Sequence, residues 1–252
     1  MRLTVLGSAA SFADAGRACA GHLIRTHDVA VLFDCGNGVL SNLGRVMDPL
    51  ELDAVFITHE HVDHFADVYA LQAALRYAPD GPRPPMPLYM PPGLFQRMSA
   101  VLSERGRAEL AEAFVVHEMV DGAEVGIGAL RIVPRTVDHV DPTFALIATA
   151  DGSVLCYTAD TAPGEAVVAA ARGADVLLAE ATLPPAYQGK VAHMTAGEAA
   201  ALAVEADVGV LVLSHLWPSV DRATAAREAR EVFPGRVIVA DELFDLTFPK
   251  EA

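Results

Sequence analysis

Cysteine, basic charge and long apolar runs are all scarce in this chain of 252 residues. Three cysteines, Cys19, Cys35 and Cys156, are too few and too scattered for a disulfide framework or a thiolate zinc knot, and the odd number leaves at least one thiol free. A reducing cytoplasm is therefore the expected location. Lys and Arg total 18 against 33 Asp and Glu, a formal net charge of −15. Such a field repels polyanions at long range and disfavours general nucleic-acid binding through phosphate neutralisation. No stretch reaches the roughly 18 uninterrupted apolar residues of a membrane span. The opening Met1-Arg2-Leu3-Thr4-Val5-Leu6-Gly7 lacks the long apolar region of a secretory leader. Apolar residues, by contrast, make up 52% of the chain, enough to bury a sizeable core, and a single domain over residues 1–252 is expected.

Short β-branched runs recur at residues 3–6, 29–33, 54–57, 129–133, 144–148, 154–157, 176–178, 208–213 and 236–239, and read as strands. Helical patterns lie between several of them, at 67–77, 94–105, 164–172, 196–206 and 222–232. The alternation makes the fold class α/β. Strand ends repeatedly deliver polar residues, as in Phe33-Asp34-Cys35-Gly36, Ile57-Thr58-His59, Thr158-Ala159-Asp160 and Leu213-Ser214-His215, and function tends to sit on such edges. Residues 79–92 hold seven prolines, a composition that excludes a helix or a central strand. The segment reads as a rigid connector or as a wall of a cleft or subunit contact.

The most informative stretch is Thr58-His59-Glu60-His61-Val62-Asp63-His64, four potential ligands within six residues. If Ile57 ends a strand, a turn can aim His59 and His61 at one point while Asp63 and His64, at the start of the next helix, face a second. Two metals a few ångströms apart then become feasible. Imidazole nitrogen and carboxylate oxygen suit zinc, and also manganese or iron. His139, His193 and His215 lie in loop or strand-end contexts; His22, His27 and His117 read as structural or exposed, since most polar side chains have ordinary partners. Asp34 is either a turn carboxylate or an outer support for a ligand histidine, which normally needs one. Cys35 and Cys156 have no CxxC partner and carry no chemistry. Trp217 either packs or stands at a cleft rim to stack a base.

On these residues the sequence resembles the metallo-β-lactamase-fold hydrolases: His59, His61, Asp63 and His64 match the central motif of that superfamily, and His139, Asp160 and His215 fall where it places its remaining ligands. The resemblance covers essentially the whole chain. It implies a four-layer αβ/βα sandwich, with His59, His61 and His139 around one divalent metal, Asp63, His64 and His215 around another, and Asp160 between them. Two zinc ions are the expected cofactors, with manganese or iron as alternatives, and a homodimer is the expected assembly. Within the superfamily the chain looks most like the phosphodiesterase branch that includes RNase Z and compact bacterial cyclic-nucleotide phosphodiesterases. Leu6-Gly7-Ser8, Phe33-Asp34-Cys35-Gly36, Ala179-Glu180-Ala181-Thr182 and His193-Met194-Thr195-Ala196-Gly197-Glu198 carry that likeness. In such relatives the histidine matching His193 serves the scissile phosphate and the glutamate matching Glu180 supports it. Locally, Thr195 and Glu198 also spell a helix capping box.

RNase Z-type enzymes commonly carry a long insertion between the positions matched by His139 and Asp160; here the two stand 21 positions apart with no basic arm between them. Ala179 also departs from the histidine usual there in RNase Z. The expected activity is therefore hydrolysis of a small phosphodiester, first a 3′,5′-cyclic nucleotide, by a water that two metals activate. Asp63 would bind metal and orient that water, with His193, held by Glu180, as general acid. RNase Z-like tRNA 3′-processing and a metal-binding regulatory protein without turnover are the rival readings.

Overall fold

The computed structural model describes residues 1–248. Strands such as Ala30-Val31-Leu32-Phe33 and Val176-Leu177-Leu178-Ala179 are buried on both faces rather than alternating. A strand apolar on both sides needs cover on both sides, which forces its sheet into the interior of a layered structure. Two seven-stranded sheets result. The first contains β1 (Arg2–Gly7), β2 (Gly21–Arg25), β3 (Ala30–Phe33), β4 (Ala54–Phe56), β5 (Met86–Met90) and β6 (Phe114–Glu118) in spatial order 1-2-3-4-5-6. The second contains β7 (Val125–Ile127), β8 (Leu130–Val137), β9 (Thr143–Ala150), β10 (Ser153–Tyr157), β11 (Val176–Glu180), β12 (Val210–Ser214) and β13 (Arg236–Val239), ordered 13-12-11-10-9-8-7. The last strand, β14 (Phe244–Thr247), returns to pair antiparallel with β1 and closes the first sheet.

Three hydrophobic cores define the layers. Between the sheets lie Leu3, Val5, Ile24, Val31, Phe33 and Phe56 from one and Ile132, Leu146, Leu155, Tyr157, Val176 and Leu178 from the other. The outer face of the first sheet, with Leu23, Leu32, Val55 and Leu88, meets α1 (Val39–Leu43), α2 (Val68–Arg76), α3 (Leu94–Ser99) and α4 (Glu104–Ala113). The outer face of the second, with Leu177, Leu211 and Leu213, meets α5 (Glu165–Ala171), α6 (Ala196–Glu205) and α7 (Arg222–Val232). Helix, sheet, sheet, helix is the four-layer αβ/βα sandwich. Each fully buried Leu or Val in these layers contributes roughly 1.5–3 kcal/mol of transfer free energy.

Two expectations need correction. Residues 86–90, inside the proline-rich segment, form an interior strand with β4 and β6 as parallel neighbours. Pro87 is tolerated because pairing with β4 starts only at Leu88, so its missing N–H falls beyond the end of that ladder. The single helix expected over 94–105 is two helices, because Ser103 caps the second, accepting from the Gly106 N–H. β2, β6, β7 and β14 were outside the strands read from the sequence. Among the described residues no helix is long and apolar enough to cross a membrane.

Parallel pairing runs through β3–β4 and through β10–β11–β12–β13. Asp34 follows β3, His59 follows β4, Asp160 follows β10, Glu180 ends β11 and His215 follows β12. The carboxyl ends of the parallel strands therefore gather the polar residues on one edge, the position where open α/β sheets place ligands.

Candidate metal centre

The segment after β4 makes a sharp excursion. His61 precedes a single 3-10 turn, Val62–His64, and the His64 N–H returns to the His61 carbonyl at 3.0 Å. Asp63 and His64 thus sit on a separate turn ahead of α2, rather than in the helix itself. The loop is pinned from behind: the Cys35 N–H donates to the His64 carbonyl at 2.7 Å. A Cβ on Gly36 would stand 1.9 Å from the Asp63 carbonyl oxygen, a contact that only backbone movement relieves. Gly36→Ala is therefore expected to lower stability by about 3 kcal/mol, roughly 6–12 °C in Tm, and to weaken metal binding through the displaced turn. Thermal denaturation and metal titration check both effects.

All seven expected ligands converge. His59 Nε2 and His139 Nε2 each lie 3.1 Å from His61 Nδ1. His64 Nε2 lies 3.2 Å from His215 Nε2, which is 3.3 Å from Asp63 Oδ2. Asp160 stands between the two groups, its Oδ2 3.6 Å from His59 Nε2, 3.8 Å from His139 Nε2 and 3.3 Å from His64 Nε2. His59, His61, His139 and Asp160 make one set of donor atoms able to hold an ion, and Asp63, His64 and His215 another.

The hydrogen bonds behind the rings decide which nitrogens carry protons. His64 Nδ1 donates to Asp34 Oδ2 at 2.7 Å, and His139 Nδ1 donates to the Ala192 carbonyl at 2.8 Å. Thr58 Oγ1 donates to Asp34 Oδ2, so it accepts from His59 Nδ1 at 3.0 Å. Thr182 Oγ1 donates to the His215 carbonyl and accepts from His215 Nδ1, 2.9 Å in each case. In all four rings Nδ1 carries a proton and Nε2 faces the cluster. Each close nitrogen pair, 3.1–3.2 Å apart, needs a single proton or a cation between its two members. Two donors at about 2.0–2.1 Å from one tetrahedral zinc stand roughly 3.3 Å apart, so the spacing fits a divalent ion.

Charge follows the same logic. Burial, with the charge of His64, pushes His59 well below its ordinary value, and burial also lowers His139, so both rings stay neutral. Burial disfavours charge on His64 too, but Asp160 and Asp34 outweigh it and hold the ring well above its usual value. Its proton is the one an incoming ion displaces. Burial raises Asp63 and Asp160, yet the surrounding histidines prevail and keep both carboxyls low, ionised and ready to bind a cation.

Beside the two sets, His193 Nδ1 lies 3.0 and 3.1 Å from the two oxygens of Glu180 and 4.0 Å from Asp160 Oδ2. Glu180 is buried and also accepts from the backbone N–H groups of Thr161, Thr182 and Met194. Desolvation lowers the pKa of His193, but the hydrogen bond and charge of Glu180, with Asp160, raise it overall. The capping box forms as well, with Thr195 and Glu198 each bonded to the other's backbone N–H.

Asp34 proves to be the outer support, fully buried and accepting four hydrogen bonds, from Thr58 N–H, Thr58 Oγ1, His64 Nδ1 and the Tyr157 hydroxyl. It does so with φ 57°, one of three strained non-glycine residues at this edge with Ala159 (54°) and His215 (51°). Thr58, Thr182 and Tyr157 are supports that sequence reasoning missed. Trp217 packs edge-on to Tyr187 at 5.7 Å. His27 is exposed beside Asp28, and His117 stacks on Tyr89. Cys35 and Cys156 are buried thiols pushed up by desolvation, Cys156 to about 12, and are chemically inert. Asp241 and Glu242 bind Arg222 and Ser8, tying the chain's end to α7 and to the residue after β1.

His22 is buried edge-on against Tyr157, with no hydrogen-bond partner for either ring nitrogen among the described residues, and desolvation lowers it to about 3. An unfolded histidine titrates near 6.5. Its contribution to stability is therefore complete above pH 6.5 and is lost as the pH falls toward 3, about 5 kcal/mol over the whole range. In metal-stripped protein, His22→Leu is expected to shift the acid-unfolding midpoint to lower pH. An unmoved midpoint counts against this account.

The chain is similar to several known proteins along most of its length. The domain family described as the beta-lactamase superfamily domain matches residues 30–216. An uncharacterized protein of Mycobacterium tuberculosis is 35% identical, covering 98% of this chain and 92% of its own length. A ribonuclease Z of Mycobacterium bovis is 31% identical over 96% of each chain. Among solved structures, the metallo-beta-lactamase fold protein YhfI from Bacillus subtilis superposes with a TM-score of 0.87 at 27% identity, covering 97% of this chain and 98% of that one.

Proposed function

The chain belongs to the metallo-β-lactamase superfamily of metal-dependent hydrolases, and from that premise we propose that it is a phosphodiesterase for a small phosphodiester, with a 3′,5′-cyclic nucleotide the first candidate. We assign His59, His61 and His139 to one divalent ion, Asp63, His64 and His215 to a second, and Asp160 to both; zinc, manganese and iron all suit this donor set. When bound, such ions would neutralise the phosphodiester's charge and lower the pKa of a coordinated water.

The observation that carries the reading is the His193–Glu180 pair. A β-lactam or thioester reaction centres on a carbonyl, whereas a phosphodiester presents further anionic oxygens and an alkoxide leaving group. A histidine held at Nδ1 by a buried carboxylate and raised in pKa keeps a proton on Nε2 to donate to those groups. The Ser11 N–H fixes Asp63 Oδ2 at 2.7 Å, so that this carboxylate keeps its orientation as charge builds.

Substrate size follows from the surroundings. Between His139 and Asp160 the chain makes only β9 and β10 joined by Asp151 and Gly152, with no arm to grip an RNA. An apolar cavity of about 420 Å³ adjoins the motif loop, lined by Val62, Phe65, Tyr69, Leu94 and Met98, with the Arg97–Glu60 ion pair at its rim. That volume lies within the range of small-molecule sites. The test is turnover of cyclic AMP, cyclic GMP and bis(p-nitrophenyl) phosphate by protein loaded in turn with zinc, manganese and iron. Hydrolysis of the small diesters with tRNA precursors left intact is expected. Cleavage of tRNA precursors alone would overturn the substrate preference, and binding of metal without any turnover would favour a regulatory protein.

A further inference from the structure

We propose that Tyr157 is a positioning residue for the candidate metal centre, its hydroxyl holding Asp34 across the seam between the two sheets so that His64 keeps its orientation toward the ion it shares with Asp63 and His215. Tyr157 is the last residue of β10 in the second sheet, and its ring lies in the core between the sheets. The hydroxyl crosses that core to Asp34 Oδ2 at 2.8 Å, at the end of β3 in the first sheet. Of the four hydrogen bonds to this carboxylate, three come from Thr58 and His64, within the same half of the molecule. Among the described residues only Tyr157 donates to the Asp34 carboxylate from the half that supplies His139, Asp160 and His215. Two convergent donor sets drawn from both sheets keep their spacing only while the sheets keep theirs.

The support of the two sets is unequal. His64 is backed by a carboxylate, which makes an imidazole more basic and a stronger ligand. His59 and His139 are backed by a threonine hydroxyl and a backbone carbonyl. Burial and the Asp34 charge push the Tyr157 phenol well above its usual value, so it serves only as a donor. Its ring is fixed between His22, edge-on at 4.8 Å, and Phe33, stacked at 6.5 Å, which leaves the hydroxyl one direction.

The inference rests on the two clusters binding metal and is independent of the substrate. Its test is a zinc titration of the stripped full chain against a competing chelator, together with thermal denaturation, for the parent, Tyr157→Phe and Leu155→Ala. Leu155 lies two residues back on the same strand and faces the same core. The parent is expected to bind two zinc ions. Tyr157→Phe should weaken one of them about 10-fold, the lower end of the effect of losing a ligand's own hydrogen-bond partner, because Asp34 stays but loses its tie to the second sheet, and leave the other within about 2-fold. Leu155→Ala should lower Tm and leave both affinities unchanged. Two parental affinities in Tyr157→Phe overturn the proposal, as does a loss of metal that follows Tm alike in both variants. A parent that binds no zinc instead removes the metal reading itself.

Discussion

Replacing Asp160 by alanine is expected to reduce turnover at least about 10³-fold and to weaken both metal ions, because its carboxylate stands between the two donor sets. Its Oδ2 lies within 3.8 Å of His59, His64 and His139, and its Oδ1 lies 3.2 Å from His215 Nδ1 without a hydrogen bond from any described residue. A buried carboxylate oxygen without a donor is costly unless it meets a cation. Removing the group also takes one of the two negative charges, with Asp63, that offset two divalent ions. Asp160→Asn separates charge from shape: it keeps an oxygen in place and loses the charge, and should retain less metal than the parent while folding normally. Metal analysis after dialysis, paired with turnover on bis(p-nitrophenyl) phosphate, reads both effects. An Asp160→Asn protein that keeps two ions and near-parental turnover would show that the two sets do not share this carboxylate.

The site was legible from the sequence to the extent that chemistry is local. Four candidate ligands fall within residues 59–64, and the histidines and carboxylates farther along follow strand ends, where the α/β pattern already places function. Asp34 stood open between turn and support because a single acidic residue after a strand serves either purpose; only the four donors around it decide. Tyr157, Thr182 and the Ala192 carbonyl were invisible for a related reason. Their contribution depends on which residue the fold brings against them, from 33 to 123 positions away, and a buried tyrosine at the end of a strand reads as core. In the fold, the proline argument failed at Pro87 because pairing with β4 begins two residues after the strand does. Short strands such as β7, three residues long, carry too little pattern to register. Over 94–105 a single helix is expected because apolar spacing continues through a loop at which Ser103 marks a new start rather than an interior position.

His193→Ala is expected to lower kcat on a small phosphodiester by about 10² to 10⁴ while both ions remain bound, the range for removal of a general acid. The separation from the Asp160 variants is physical. His193 also stands with Asp160 and His215 within reach of one point, but its Nδ1, 4.0 Å from Asp160, is already committed to Glu180, so its loss takes no lone pair from the His61 and Asp63 donor sets. Glu180→Gln tests the same unit from behind. It keeps an oxygen to accept from Nδ1 but removes the charge that overcomes desolvation, so the His193 pKa should fall and the fraction protonated at neutral pH with it. Activity carried by a protonated imidazole is lost as pH rises through that pKa. The basic limb of the kcat profile should therefore move to lower pH in Glu180→Gln and be absent in His193→Ala. Because the two residues act as one unit, the double variant should be little worse than His193→Ala alone. Additive losses would mean that Glu180 acts chiefly through the backbone of Thr161, Thr182 and Met194. A His193→Ala protein with parental metal content and parental rate would remove the acid from the mechanism, and with it the main argument for a phosphodiester.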